Sequence, residues 1–158
     1  MTDGMIKDYT LRISQGSRSD IIVVLYDLAI HYMQDAAEAL RSGNHERARS
    51  KCTNAVRVFG DLEGALDFSY EISFPLFRIY EFLSKEVSMA VIKNDPECLS
   101  TPIKLMQSLN ESFEKIAQED SSGPAMGNSQ TVYSGLTYGR GTLNDSMDPG
   151  SNNRGFTV

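Results

Sequence analysis

The stretch from Ser17 to Leu40 constrains this chain most. Ile21, Leu25, Leu28, Tyr32, Ala36 and Leu40 recur at helical spacing and form one apolar stripe. Ser17 or Ser19 can cap the start, because a hydroxyl oxygen satisfies an orphan backbone N–H. Asp20 then sits in the first turn, where a negative charge suits the helix dipole. Ser42-Gly43-Asn44 is the stop, with Gly43 free to take the left-handed conformation beyond the last turn. The stripe has company: Ile22, Val23, Val24, Tyr26 and Ala29 add apolar surface beside it. A bundle helix with one core to fill needs about three apolar residues in seven. The surplus means either burial on two sides by neighbouring helices or a groove that takes a partner's apolar helix.

Three further helices follow from the same spacing. The second is predicted over 44–66, from Asn44 as N-cap through Ala48, Cys52, Ala55, Phe59, Leu62 and Leu66, without a capping box because Arg47 holds the Glu/Gln place. The third is predicted over 72–93 through Leu76, Ile79, Tyr80, Leu83, Val87, Ala90 and Val91, with Pro75 tolerable only in its first turn. The fourth is predicted over 96–118 through Leu99, Ile103, Met106, Leu109, Phe113 and Ile116, with a restart expected near Pro102. The joints Ser42–Asn44, Asp67–Tyr70 and Asn94–Pro96 are short, so sequential helices should run antiparallel. The expected fold is all-α: an antiparallel up-down four-helix bundle over 17–120, with a short N-terminal arm over 1–16 and a flexible C-terminal tail over 121–158.

The arm is polar apart from Ile6 and Tyr9, whose spacing puts both on one side of a helical turn, and it is expected to be loosely held. The tail is rich in Ser, Gly and Asn, with seven of the chain's twelve glycines, and cannot offset the entropy of ordering by apolar burial. It still carries Val132, Tyr133, Leu136 and Tyr138, a segment that could pair with a groove or a partner.

A formal charge of −6 argues against general nucleic-acid binding, which needs a cationic patch. No apolar run is long enough to span a bilayer, and the N-terminus lacks the pattern of a secretory signal, so no membrane insertion and a cytoplasmic location are expected. In that compartment Cys52 and Cys98 read as free, small hydrophobes. No catalytic constellation is evident: no Glu precedes His31 or His45 by three residues, and neither a phosphate loop nor a nucleophile elbow is present. Asp27 and His31, four apart, read as a local polar pair rather than a metal site, which needs three or four ligands. No cofactor and no enzyme activity are expected.

Three segments together resemble the FliS family of flagellar secretion chaperones. They are I-I-V-V-L-Y-D-L-A-I in the first helix, N-A-V-R-V-F-G-D-L-E-G-A-L-D in the second, and I-Y-E-F-L-S-K-E-V-S-M-A-V-I-K-N-D-P in the third with its joint. The arm's I-K-D-Y is also similar, and the resemblance covers residues 5–118. This chain departs from the family pattern at Arg18 after Ser17, where proline is common. It also has Phe113 near a frequent tryptophan and Glu81 in place of an aspartate. The resemblance implies a cytoplasmic chaperone that binds the disordered C-terminal segment of flagellin, prevents premature polymerisation and assists delivery to the flagellar export gate. It implies Ile6 and Tyr9 as a movable arm over a groove. Tyr26 is expected as a contact beside a core Leu25, Asp27 as a residue that fixes a neighbouring backbone or tyrosine hydroxyl, and Ile79, Tyr80 and Leu83 as groove residues of the third helix. A monomer or weak homodimer is expected; the alternative is an oligomerisation scaffold whose surplus stripe is a permanent homodimer face.

Overall fold

The computed structural model describes residues 3–125, and those residues contain helices and no strands. The order is α1 (Asp3–Gln15), α2 (Arg18–Arg41), α3 (His45–Gly64), α4 (Ser73–Lys93), a short 3-10 helix (Pro96–Leu99) and α5 (Ser100–Glu119). The tail segment Val132–Tyr138 lies outside the described residues.

Each boundary has a local cause. Ser17 caps α2 in a full capping box: its Oγ accepts from the Asp20 N–H at 3.2 Å, and its own N–H donates to Asp20 Oδ2 at 2.9 Å. Gly43, at φ +73°, makes the left-handed turn after α2. Asn44 Oδ1 then accepts from the Arg47 N–H at 3.0 Å to start α3. Pro75 falls in the first turn of α4, where its missing N–H costs no intrahelical bond. Asn94, at φ +52°, ends α4 as a left-handed cap. Asp95 Oδ1 caps the 3-10 helix by accepting from Glu97 N–H at 2.9 Å, and α5 continues through Pro102.

Helix α2 is the hub. It packs along α3 and α5, α3 packs along α4, and α4 meets α5 only sparsely. The 3-10 helix fills that end of the bundle, touching α2 and α4 and burying Leu99. The core of α2 is Val23, Val24, Tyr26, Ala29, Ile30, Met33, Ala36, Ala37, Ala39 and Leu40. The predicted stripe residues Leu25, Leu28 and Tyr32 are only partly buried and flank that core. The wide apolar surface of α2 therefore serves first to meet helices on two sides, and the apparent surplus is the core itself.

Residues 3–15 form a regular helix with Tyr9 buried, rather than a loose arm. Helix α1 packs on α2 and ends at Gly16, whose N–H donates to Arg12 O at 2.8 Å. A Cβ at Gly16 would lie 2.6 Å from that same carbonyl oxygen and 2.7 Å from Asp20 Cβ, so the tight joint requires glycine.

Candidate functional site

Asp27 joins three helices. Its Oδ2 pairs with Arg12 Nη1 of α1 at 3.3 Å, and its Oδ1 accepts from Asn110 Nδ2 of α5 at 2.8 Å. Beside it Tyr9 is only 8% exposed, with its ring 6.4 Å from that of His31 in a tilted arrangement. Burial, helped by the Asp27 charge, pushes the Tyr9 phenol above its ordinary value. One buried ring and one ion pair thus help to hold α1 on α2, with Met5 and Ile13 of the same helix partly buried. The pair is partly solvated, with side chains 40% and 27% exposed, and so contributes under about 1 kcal/mol.

A cleft of about 420 Å³ opens next to this node between α2 and α5, lined by Asp27, His31, Gln34, Gln107, Asn110 and Glu114 among others. Asn110 is 8% exposed, and its Oδ1 has no hydrogen-bond partner. A buried acceptor left open costs free energy, and this one is enclosed within the fold rather than open to the cleft.

The sequence candidates divide into two sets. Tyr9 and Asp27 come together at the α1–α2–α5 node. Ile6 belongs to the same helix as Tyr9, and its side chain lies outside the described residues. Tyr26, Tyr80 and Leu83 are core residues, and Ile79 packs partly buried against them. The expectation for Tyr26 and Leu25 is therefore reversed: Tyr26 is the buried residue and Leu25 the partly exposed one. The reason is a partner. Tyr26 and Tyr80 share a hydroxyl–hydroxyl hydrogen bond of 2.6 Å, which lets two phenols enter the core satisfied. Phe113 meets Tyr26 edge-on at 5.1 Å. Asp27 binds an amide and a guanidinium, not a tyrosine hydroxyl or the backbone.

Arg12 and Asn110 did not emerge from the sequence. Asn110 carried a readable signal: it sits four residues after Met106 and three before Phe113, a core position held by an amide. Arg12 carried only its spacing of three from Tyr9.

The end of α5 returns to the start of α2. Ser19 Oγ donates to Asp120 Oδ2 at 2.7 Å, and the Ala125 N–H donates to Gly16 O at 3.0 Å. Hydrogen bonds from Ser122 and Ser19 hold the Asp120 carboxyl well below the usual carboxylate range. Among the described residues, no group of three or more His, Cys, Asp or Glu is placed to hold a metal ion, and no helix is long and apolar enough to cross a membrane. Cys52 and Cys98 are free thiols, and burial pushes Cys52 up to about 11, away from nucleophilic use.

A helical bundle with a helix laid over its hub and a polar-lined cleft has the kind of surface that helix-in-groove recognition uses. The model of one family, described as flagellar protein FliS, matches residues 6–120, and the chain belongs to that family. The family is one of chaperones of flagellum biogenesis that bind flagellin. No curated protein matches the chain at a significant level.

Proposed function

We propose that this chain is a cytoplasmic, non-enzymatic chaperone of flagellar export that binds the disordered C-terminal segment of flagellin. It keeps that segment from polymerising and helps deliver it to the export gate. In this reading α1 is a displaceable cover, and a helical piece of flagellin takes its place on α2 and reaches the α2–α5 cleft.

The seat of α1 is the observation that carries the reading. The one buried side chain of this helix among the described residues is Tyr9, and its ion pair to α2 is partly solvated. Burying a ring of that kind contributes about 1.5–3 kcal/mol, and the pair adds less than about 1. Displacing the cover then lowers apparent affinity by roughly one to three decades, at about 1.4 kcal/mol per decade. A long segment can supply that, since coupled folding typically buries about 1,000–3,000 Å². The exposed Gln34 and Gln107 of the cleft suit the backbone and polar side of such a segment.

Titration calorimetry with the C-terminal segment of flagellin from the same organism tests the reading. The expected result is one-to-one binding with a negative heat-capacity change, and tighter binding by Tyr9→Ala with the helical circular dichroism of the bundle retained. Absence of heat together with absence of co-elution on a sizing column would remove the reading. Unchanged or weaker binding by Tyr9→Ala would make α1 a structural element and not a cover.

A further inference from the structure

The turn between α3 and α4 carries a second surface that the client-binding reading does not use. Phe68, Tyr70, Ile72 and Phe74 are 48%, 64%, 62% and 57% exposed. They make up four of the eight large apolar side chains left exposed among the described residues, all within seven consecutive positions. Singly exposed apolar residues are ordinary, but a contiguous aromatic patch of this kind marks an interaction surface.

This patch is built, not merely left over. Phe68 meets Phe74 at 5.3 Å and Phe77 at 6.0 Å, both edge to face. The backbone beneath is pinned at one residue: Asp67 O accepts from Ser73 Oγ at 2.6 Å and from Tyr70 N–H at 3.1 Å. Asp67 Oδ1 accepts from Ser69 N–H at 2.9 Å, and Ser73 itself is buried. Rings held in place before contact lose little entropy on binding, which is the property that makes aromatic anchors dominate interfaces.

Charge selects the occupant. From 61 to 81 the chain holds Asp61, Glu63, Asp67, Glu71 and Glu81 against Arg78 alone. Glu63 and Glu81 are close enough that burial of Glu63 and repulsion from Glu81 raise the Glu63 carboxyl above its ordinary value. A second copy of the chain would bring the same acidic rim to the contact and be repelled. We propose that the aromatic turn of α3–α4 is a docking surface for a cationic amphipathic helix of a protein partner, with apolar side chains on the rings and Lys or Arg on the acidic rim. Such a partner is steered to the site by the rim and held by the rings.

Fluorescence anisotropy with the full chain tests this. The probe is a labelled amphipathic helical peptide with a Leu/Phe face and Lys flanks, and the control is the same peptide with Glu flanks. The Lys peptide is expected to bind in a salt-dependent way and the Glu peptide at least about tenfold more weakly. Tyr70→Ser/Phe74→Ser, both half or more exposed, should weaken the Lys peptide about tenfold or more with unchanged circular dichroism. Glu71→Lys/Glu81→Lys keeps the rings and should reverse the preference between the peptides. Equal binding of the two peptides, no binding of either, or indifference to both double variants overturns the proposal. A dimer in sedimentation that Tyr70→Ser/Phe74→Ser abolishes also overturns it, in favour of self-association.

Discussion

The Tyr26–Tyr80 pair gives the sharpest quantitative test of this bundle. The two hydroxyls lie 2.6 Å apart with both side chains essentially enclosed, linking α2 to α4 across the core. Tyr26→Phe removes one hydroxyl and leaves that of Tyr80 buried without its partner. The lost bond and the stranded group together cost about 1–3 kcal/mol. Tyr80→Phe does the same in reverse. The double variant strands nothing, keeps both rings and the Phe113 edge contact, and should cost under about 1 kcal/mol. The coupling between the two positions is then at least about 1 kcal/mol, well above the error expected for independent sites. Urea unfolding followed by circular dichroism measures it, since the chain has no tryptophan to report by fluorescence. Melting temperature should move by about 4 °C per kcal/mol. The pair also predicts an alkaline response. Burial raises both phenols: the hydrogen bond to Tyr80 raises Tyr26 further, while the bond to Tyr26 offsets part of the rise at Tyr80. The folded state keeps protons that the unfolded state releases above about pH 10, so stability present below that pH falls as pH rises beyond it. The double variant should lose less there. Additive single costs, or equal alkaline loss in wild type and double variant, would refute the account of a satisfied core pair.

Two other outcomes follow from local geometry. Gly16→Ala drives a Cβ into the Arg12 carbonyl, so the α1–α2 joint must open; hydrogen exchange of α1 amides should quicken by about tenfold while α3 and α4 stay protected. Asp35 and Lys51 pair at 2.6 Å with side chains 23% and 19% exposed. Burial alone would raise the Asp35 carboxyl, but the Lys51 hydrogen bond and charge overcome it and hold it low. Its contribution is present above about pH 4 and lost as pH falls through the depressed value, so Asp35→Asn should cost about 1 kcal/mol in urea titrations at pH 7 and converge with wild type in acid.

Helix existence and order were legible in the chain because period and punctuation are local properties. Ser17 with Asp20, Gly43 with Asn44, and Asn94 with Asp95 mark the joints whatever the rest of the molecule does, and Pro96 and Pro102 announced the interrupted start of α5. The FliS resemblance was likewise legible, since it rests on ordered short segments that survive without a structure.

Which residues of a helix face inward is a different matter. On α2 nearly every position around Ile21–Ala29 is apolar, so periodicity alone could not separate the Leu25 side from the Tyr26 side; the positions of α3, α4 and α5 did. A tyrosine looks like surface in one dimension and becomes core only when a second hydroxyl arrives from 54 residues away. Asp27 gained its meaning in the same way, from Arg12 on one neighbour and Asn110 on another. Local propensity and capping decide where helices begin and end, through bonds between residues a few positions apart. Pairing of polar groups across the bundle depends on packing that brings distant positions within about 3 Å, and only the tertiary structure decides that.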